Sequence, residues 1–302
     1  ASGEASLGVI KGIMCFYFNK NLASKYSLED PYQVVLDGKW TIDKLGEMGK
    51  SVYSDLNGNS EVDIDDQFGF YFKTTNNSPA LILSCGLRLT KKDADGIPYY
   101  DLGSEKILSL LDKIGTMMNQ DGFESLAKNL SKDGTGFFAQ GHSLFMAGEF
   151  ADAETFRDMT FDFGVLPYPK FDENQTEYYT STRMTASLFG ILATANVENS
   201  AAVLEALARE SYMTVTPVYF EKALKVKYSR DDVSSQMFDI IKSNVVFDFG
   251  MVCGVIMNDI NADIKSETAY PSGKWASRWA SKKESVNKAV KKYYDNIMSL
   301  PE

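Results

Sequence analysis

Apolar positions along the chain follow two rhythms, which together predict strands alternating with helices. Unbroken apolar runs of strand length fall at Ile13 to Phe18, Phe68 to Phe72, Ser143 to Met146, Phe161 to Leu166 and Leu188 to Ala193. Such runs suit strands that are covered on both faces. Between them the apolar spacing changes to three and four. After Ser104, the positions Ile107, Leu108, Leu110, Leu111, Ile114, Met117 and Met118 form a broad stripe on one side of a helix. Thr41 predicts the cap of a helix whose Leu45 and Met48 share a face. Ser200 to Met213 predicts a helix with Val203, Leu204 and Leu207 inward, and Asp231 to Ile241 predicts another. Ser281 and Glu284, at capping-box spacing, predict a last helix from Ser281 to Met298. Strands and helices alternating at these lengths give an α/β fold with a mostly parallel sheet, which binds ligands at the sheet edge.

Composition narrows the function. The 302 residues are 44% hydrophobic and 24% charged, enough apolar material for one large or two ordinary domains. A formal charge of -10 speaks against nucleic acid, because phosphate binding uses clustered Lys and Arg. The basic stretch Lys274 to Lys292 alternates with apolar positions and reads as the wet face of a helix. No apolar run approaches the roughly 20 residues of a membrane span. Ala1 to Ala5 carry neither the charged start nor the apolar core of a secretory leader, so the compartment has to come from other signals. Cys15, Cys85 and Cys253 each stand among apolar or small neighbours and read as buried hydrophobes. The single histidine, His142, has no nucleophile motif around it, and no glycine-rich phosphate loop follows a predicted strand. A pair of carboxylates for glycoside hydrolysis could be drawn from 41 acids, but nothing selects one.

The densest chemistry lies between residues 55 and 66. Asp55, Asn57, Asn59, Glu61, Asp63 and Asp66 present oxygen donors in the order of an EF-type calcium loop. Asn59 supplies an amide where a carboxylate is commoner, Ser60 stands where glycine is usual, and Asp66 is shorter than the closing glutamate. Two readings stay open, Ca2+ or another hard cation, and a solvated acidic turn closed by Asx hydrogen bonds.

The order of several short motifs resembles the extracellular solute-binding proteins of carbohydrate ABC importers. They are Phe18-Asn19-Lys20-Asn21-Leu22, Gly38-Lys39-Trp40-Thr41-Ile42-Asp43-Lys44-Leu45, the Asn-Gly loop with Asp66-Gln67-Phe68-Gly69-Phe70, and Gly164-Val165-Leu166-Pro167-Tyr168-Pro169-Lys170. The resemblance implies a periodic αβ architecture of the type II periplasmic-binding-protein-like class, similar to maltose-binding members. It also implies that most of an N-terminal lobe, on the order of 100 residues, is missing. Residues 1–183 and 247–302 would form the C-terminal lobe, and 184–246 a remnant of the other lobe. Hinge crossings would lie near Lys11 to Ile13, Thr180 to Arg183 and Phe247 to Gly250.

By the same resemblance, the full-length protein is a lipid-anchored protein of the cell surface. It would bind a sugar or oligosaccharide in an interlobe cleft, deliver it to the permease subunits in the membrane, and need no cofactor. Sugar sites combine aromatic faces with paired donors and acceptors. Strand-end segments supply the candidates Thr74, Asn76, Asn77, Glu149, Phe150, Asp152, Tyr178, Tyr179, Thr182, Arg183, Asp248 and Phe249. Plain structural roles compete with these. Asn76 to Pro79 is a good turn in itself, Arg183 has Glu177 as a local partner, and only one of Tyr178 and Tyr179 can face a cleft. Trp275 and Trp279, four apart, read as a packing stripe, and Trp40 as an anchor for its helix. Without the other lobe, Leu188, Phe189, Ile191, Tyr219, Phe220 and Met237 would be exposed and favour self-association. Two other function classes remain, a glycan-active enzyme or accessory domain and a calcium-stabilised interaction module.

Overall fold

The computed structural model describes residues 6–73, 77–125, 134–183, 189–228, 231–253 and 260–300. The chain opens with α1 (Leu7–Lys11), β1 (Met14–Asn19), α2 (Lys20–Lys25), α3 (Pro31–Leu36), α4 (Ile42–Lys50) and β2 (Phe68–Phe72). After α5 (Ala80–Ser84), a small hairpin of β3 (Thr90–Lys92) and β4 (Pro98–Tyr100) precedes α6 (Glu105–Met118), β5 (Phe123–Ser125) and α7 (Gly134–Ala139). Next come β6 (Ser143–Glu149), α8 (Asp152–Thr155), β7 (Phe163–Leu166), α9 (Val197–Glu210) and α10 (Asp232–Ser243). The described chain closes with α11 (Phe249–Cys253), α12 (Ile260–Ala269) and α13 (Trp275–Met298).

Five strands form the main sheet in the order β5-β2-β6-β1-β7. The expected parallel pairing holds for β5, β2 and β6. It fails at β1, which runs antiparallel to both β6 and β7. The chain enters β1 at the edge where β6 ends, with Met14 opposite Glu149, so this strand is threaded against the others. All six β1 residues and all five of β2 are buried, because helices cover both faces. Alternation sends Phe16 and Phe18 into one core with Trp40, Leu45, Phe70, Leu110 and Phe145. Cys15 and Tyr17 point the other way, into a second core with Met146, Phe163, Val165, Phe220 and Phe238.

Helix α4 shows how local chemistry fixes the first core. Thr41 caps it by accepting a hydrogen bond from the Lys44 amide at 3.2 Å. Trp40 is fully buried, donates from its indole to the Pro167 carbonyl at 2.9 Å, and meets Phe145 at 5.2 Å between ring centres. At the far end the helix lies directly on β2, where a Cβ at Gly69 would come within 2.0 Å of the Gly49 carbonyl oxygen. Trp275 and Trp279 are packing residues, as expected, with the Trp275 indole donating to Leu102 O at 2.7 Å.

Several expectations need correction. Residues 189–193 form no strand, and 188 lies outside the described residues. Helix α13 begins six residues before Ser281, whose hydroxyl donates back to Arg278 O inside the helix at 2.8 Å. Gly273, at φ +68°, ends the preceding turn, and the buried Trp275 anchors the first helical turn. Val203 and Leu207 do not point inward. They are 59% and 54% exposed, and no α9 residue is buried. Conversely, Tyr219, Phe220 and Met237 are buried, because helix α10 packs on β7 and the helical stretch from Val218 packs on α8 and α10. Phe189 and Ile191 are half-buried.

Gly69→Ala should destabilise the fold by about 1–3 kcal/mol, since the obstructing atoms belong to backbone. Urea unfolding checks this, with Gly190→Ala as control, where no atom lies within 4 Å of an added Cβ.

Candidate functional site

The parallel strands β2 and β6 end side by side, and the residues at their exits set up the site. Lys73 follows the aromatic strand Phe68–Phe72, and Glu149 closes β6. Open α/β sheets collect ligands at the carboxyl ends of their strands, where loops diverge. Glu149 is held by its backbone. Its carbonyl accepts from the Tyr17 hydroxyl at 3.0 Å, and its amide donates to Asp152 Oδ2 at 2.9 Å. Gly148 permits this tight turn, because a Cβ there would sit 2.6 Å from Asp152 Oδ2.

Four charged side chains meet here. The Lys73 ammonium lies 2.5 Å from Asp152 Oδ1 and 3.4 Å from Glu149 Oε1. Arg183 Nη1 reaches the same Glu149 oxygen at 3.5 Å. Side-chain exposure is 18% for Lys73, 13% for Glu149 and 6% for Asp152, which are shielded from water, and 35% for Arg183, which stands at the margin. Burial pushes the Asp152 carboxyl above its ordinary range, and the Lys73 charge offsets this only in part. For Lys73 burial acts downward, but Asp152 and Glu149 outweigh it and the ammonium is held more firmly. Three buried polar atoms at this place have no hydrogen-bond partner: Glu149 Oε2, Ser181 Oγ and Arg183 Nε. Native structures leave few such atoms unpaired.

Three chain passages adjoin at the site. The Met14 amide donates to Ser181 O and the Arg183 amide to Gly12 O, each at 2.8 Å. Thr180 accepts at its carbonyl from the Val246 amide at 2.7 Å, and its amide donates to Asn244 O at 3.0 Å. The third passage is therefore at residues 244–246, just before the expected Phe247 to Gly250. Gly12 makes room for the arginine, since a Cβ there would stand 2.6 Å from Arg183 Cγ.

The structure thus brings together Glu149, Asp152 and Arg183 among the expected residues, and the acid that pairs with Arg183 is Glu149, not the local alternative Glu177. Thr182 lies beside them with its hydroxyl on Val9 O at 2.7 Å. Asn77 is buried nearby under Met14, with Nδ2 3.1 Å from the sulfur, and its carbonyl accepts from the Tyr168 hydroxyl at 3.1 Å. Thr74 and Asn76 lie outside the described residues. Phe150 is fully buried against Phe220 and Phe238 in the second core. Tyr178 is buried with its hydroxyl donating to Val35 O at 3.0 Å, and burial pushes its pKa up to about 12. Tyr179 is half-buried beneath the Arg88 guanidinium, 5.7 Å from its ring centre. Asp248 spends its carboxylate on the amides of Leu89, Thr90, Gly250 and Met251, and Phe249 packs on Tyr293. Lys73 and Ser181 lie in the strand-end segments that the sequence offers, 73–77 and 178–183, but are not among the residues chosen from them. The readable signal for Lys73 was a cation placed directly after five buried strand positions.

The Asp55–Asp66 loop closes on its own groups. Asp55 accepts from the amides of Gly58 and Ser60 at 2.6 and 2.8 Å, and Asp63 from the side-chain amides of Asn57 and Asn59 at 3.0 and 2.6 Å. Asp66 is buried and takes the Leu56 and Asp63 amides and the Tyr53 hydroxyl, while Asn59 and Glu61 are joined by an Asx turn. Hydrogen bonding from the Asp65 amide, then from Asn57 and Asn59, holds the Asp63 carboxyl below its ordinary range. Among the described residues, no group of three or more His, Cys, Asp or Glu side chains is placed to hold a metal ion. The loop carries the Asx bonding of the second sequence reading. His142 donates from Nδ1 to the Asp66 carbonyl, 2.9 Å away, and stacks on Phe137.

No protein-family model matches the chain, and no curated protein matches it either. Solved structures do match its fold. A maltose/maltodextrin-binding domain, MalE from Bdellovibrio bacteriovorus bound to maltotriose, superposes with TM-score 0.57 at 16% identity over 94% of this chain and 71% of that one. UgpB from Mycobacterium tuberculosis in complex with glycerophosphocholine gives 0.61 at 12% identity over 93% and 70%. The ABC substrate-binding protein Lmo0181 from Listeria monocytogenes in complex with cycloalternan gives 0.56 at 13% over 97% and 72%. The chain has the α/β fold of periplasmic-binding-protein-like sugar-binding proteins.

Lys73→Met should cost about 3 kcal/mol by leaving buried carboxylates uncompensated, and adding Asp152→Asn should restore part of it. Chemical unfolding of the single and double variants measures this. Melting temperatures in calcium and in chelator should coincide if loop amides occupy the Asp55 and Asp63 oxygens, since a cation bound only by the folded state would raise the former.

Proposed function

We propose that the chain is the substrate-binding component of a carbohydrate ABC importer, taking up a sugar or oligosaccharide outside the cell and presenting it to the permease. The observation that carries this reading is the trio of unpartnered buried atoms, Glu149 Oε2, Ser181 Oγ and Arg183 Nε, at the meeting of three chain passages. Hydroxyl-rich solutes supply donors and acceptors together, which such a site requires. Structural neighbours that hold maltotriose and cycloalternan support the same class of solute.

The three adjoining passages serve as the hinge. Residues 184–246 are the stretch expected in a second lobe; within it α9 has no buried residue, which supports the division, while α10 packs on β7 and stays with the main sheet. Closure follows if the solute touches both lobes and so binds the closed form more tightly. The protein's place is the cell surface, where it is held as an anchored lipoprotein. Among the described residues, no helix is long and apolar enough to cross a membrane. The protein acts as a carrier that leaves its solute chemically unchanged. Hydrolysis of a chromogenic glycoside, abolished by replacing one acid, would overturn this.

A specific observation also favours self-association. Leu192, Val197, Val203, Leu207, Tyr212 and Met213 are each more than half exposed on and around α9. Leu192 and Val203 line a groove of about 410 Å³ together with Phe189, Ile191 and Leu204. Exposed apolar residues gathered on and around one helix are the kind of surface that association covers.

Calorimetry with a panel of neutral oligosaccharides should detect at least one bound solute, and Arg183→Ala should weaken that binding at least tenfold, or about 1.4 kcal/mol. Absence of heat for every member would defeat the carrier reading. Light scattering should show mass above that of one chain, falling to it in a Val203→Glu/Leu207→Glu variant.

A further inference from the structure

The site's charges balance. Lys73 and Arg183 supply two cations, and Glu149 and Asp152 supply two carboxylates, all joined through one Glu149 oxygen and one Lys73 ammonium. The next charged groups along the same edge, Lys11 and Glu154, pair with each other at 2.8 Å. Within this neutral set the bonding is incomplete. Glu149 Oε2 is an acceptor without a donor, and Arg183 Nε is a donor without an acceptor. They belong to the two groups that already meet through Oε1 and Nη1, so both orphans sit in one small region. Ser181, 4% exposed, adds a hydroxyl that has no partner.

Resting on the solute-binding reading above, we infer that this quartet selects an uncharged, hydroxyl-bearing solute. One hydroxyl, or a neighbouring pair, donates to Glu149 Oε2 and accepts from Arg183 Nε. A hydroxyl is the simplest neutral group that does both. A solute carboxylate or phosphate would find the Lys73 ammonium and Arg183 Nη1 already engaged, and would face Glu149 at close range. A solute ammonium could reach Glu149 Oε2, but Lys73 stands 3.4 Å from the partner oxygen of that carboxylate. In a shielded site either charge stays unbalanced, whereas a hydroxyl leaves the count at zero. Neutral saccharides are therefore bound in preference to uronic acids, amino sugars and the zwitterion glycerophosphocholine.

The test is a competition panel on the whole chain, read by calorimetry and ligand-observed NMR. Its members are maltotriose and cyclic glucans, a glucuronate-containing oligosaccharide, a glucosamine oligomer and glycerophosphocholine. Wild-type protein should prefer at least one neutral member over every charged one by tenfold or more. Glu149→Gln, which makes the set cationic, should move the preference toward the glucuronate solute. Arg183→Gln, which makes it anionic, should move the preference toward the glucosamine oligomer, with melting curves confirming that both variants are folded. Equal or tighter wild-type binding of a charged member, or a shift of both variants in the same direction, overturns the inference while leaving the carrier reading in place. Silence toward the entire panel removes the carrier reading and this inference with it.

Discussion

The position of β1 is the constraint on which the rest of the molecule depends. This strand pairs on both edges, with β6 and with β7, and every one of its six side chains is buried. Its even-numbered residues hold one core and its odd-numbered residues the other, so the two hydrophobic layers share a single backbone. The same strand places the site. Met14 stands opposite Glu149, its amide binds Ser181, and its carbonyl accepts the Thr180 hydroxyl at 2.7 Å. Packing and polar geometry are thus joined at one residue.

Sequence pattern revealed the elements wherever periodicity and burial agree. The run Phe68 to Phe72 is a strand with the same bounds in the structure, and the stripe from Ile107 to Met117 is the buried face of α6. The pattern was silent on what covers an apolar face. Val203 and Leu207 have the spacing of an inward stripe yet face solvent, while Phe220 and Met237, expected to be stranded, are buried. Direction was equally hidden, since hydrophobic runs do not say whether a strand is parallel, and β1 is reversed. The start of α13 was obscured for a local reason: Ser281 and Glu284 imitate a cap although the anchoring tryptophan lies upstream.

Site chemistry was legible by segment and less so by atom. The segments after β2 and β6 and the passage through Arg183 do converge, and three of the chosen side chains meet there. Tyr178 and Asp248 looked alike as polar candidates, but hydrogen bonds to Val35 and to the Leu89–Thr90 turn bind them into the scaffold. Only three-dimensional placement separates a polar group that is consumed from one left with bonding capacity. Buried charge of this kind is costly to stability, and its retention beside orphaned donors and acceptors fits a surface shaped for recognition.

Helix α9 has a consequence for folding as well as association. It is tied down at Asn196, whose side chain accepts the Asn199 amide, but none of its residues is buried against the rest of the fold. Helical backbone continues from it through residue 228, where Tyr219, Phe220 and Leu224 are buried, so its 14 residues are held from their C-terminal end. Its own side chains gain no burial from the described residues, and whatever covers its apolar side would add packing to a helix held at one end.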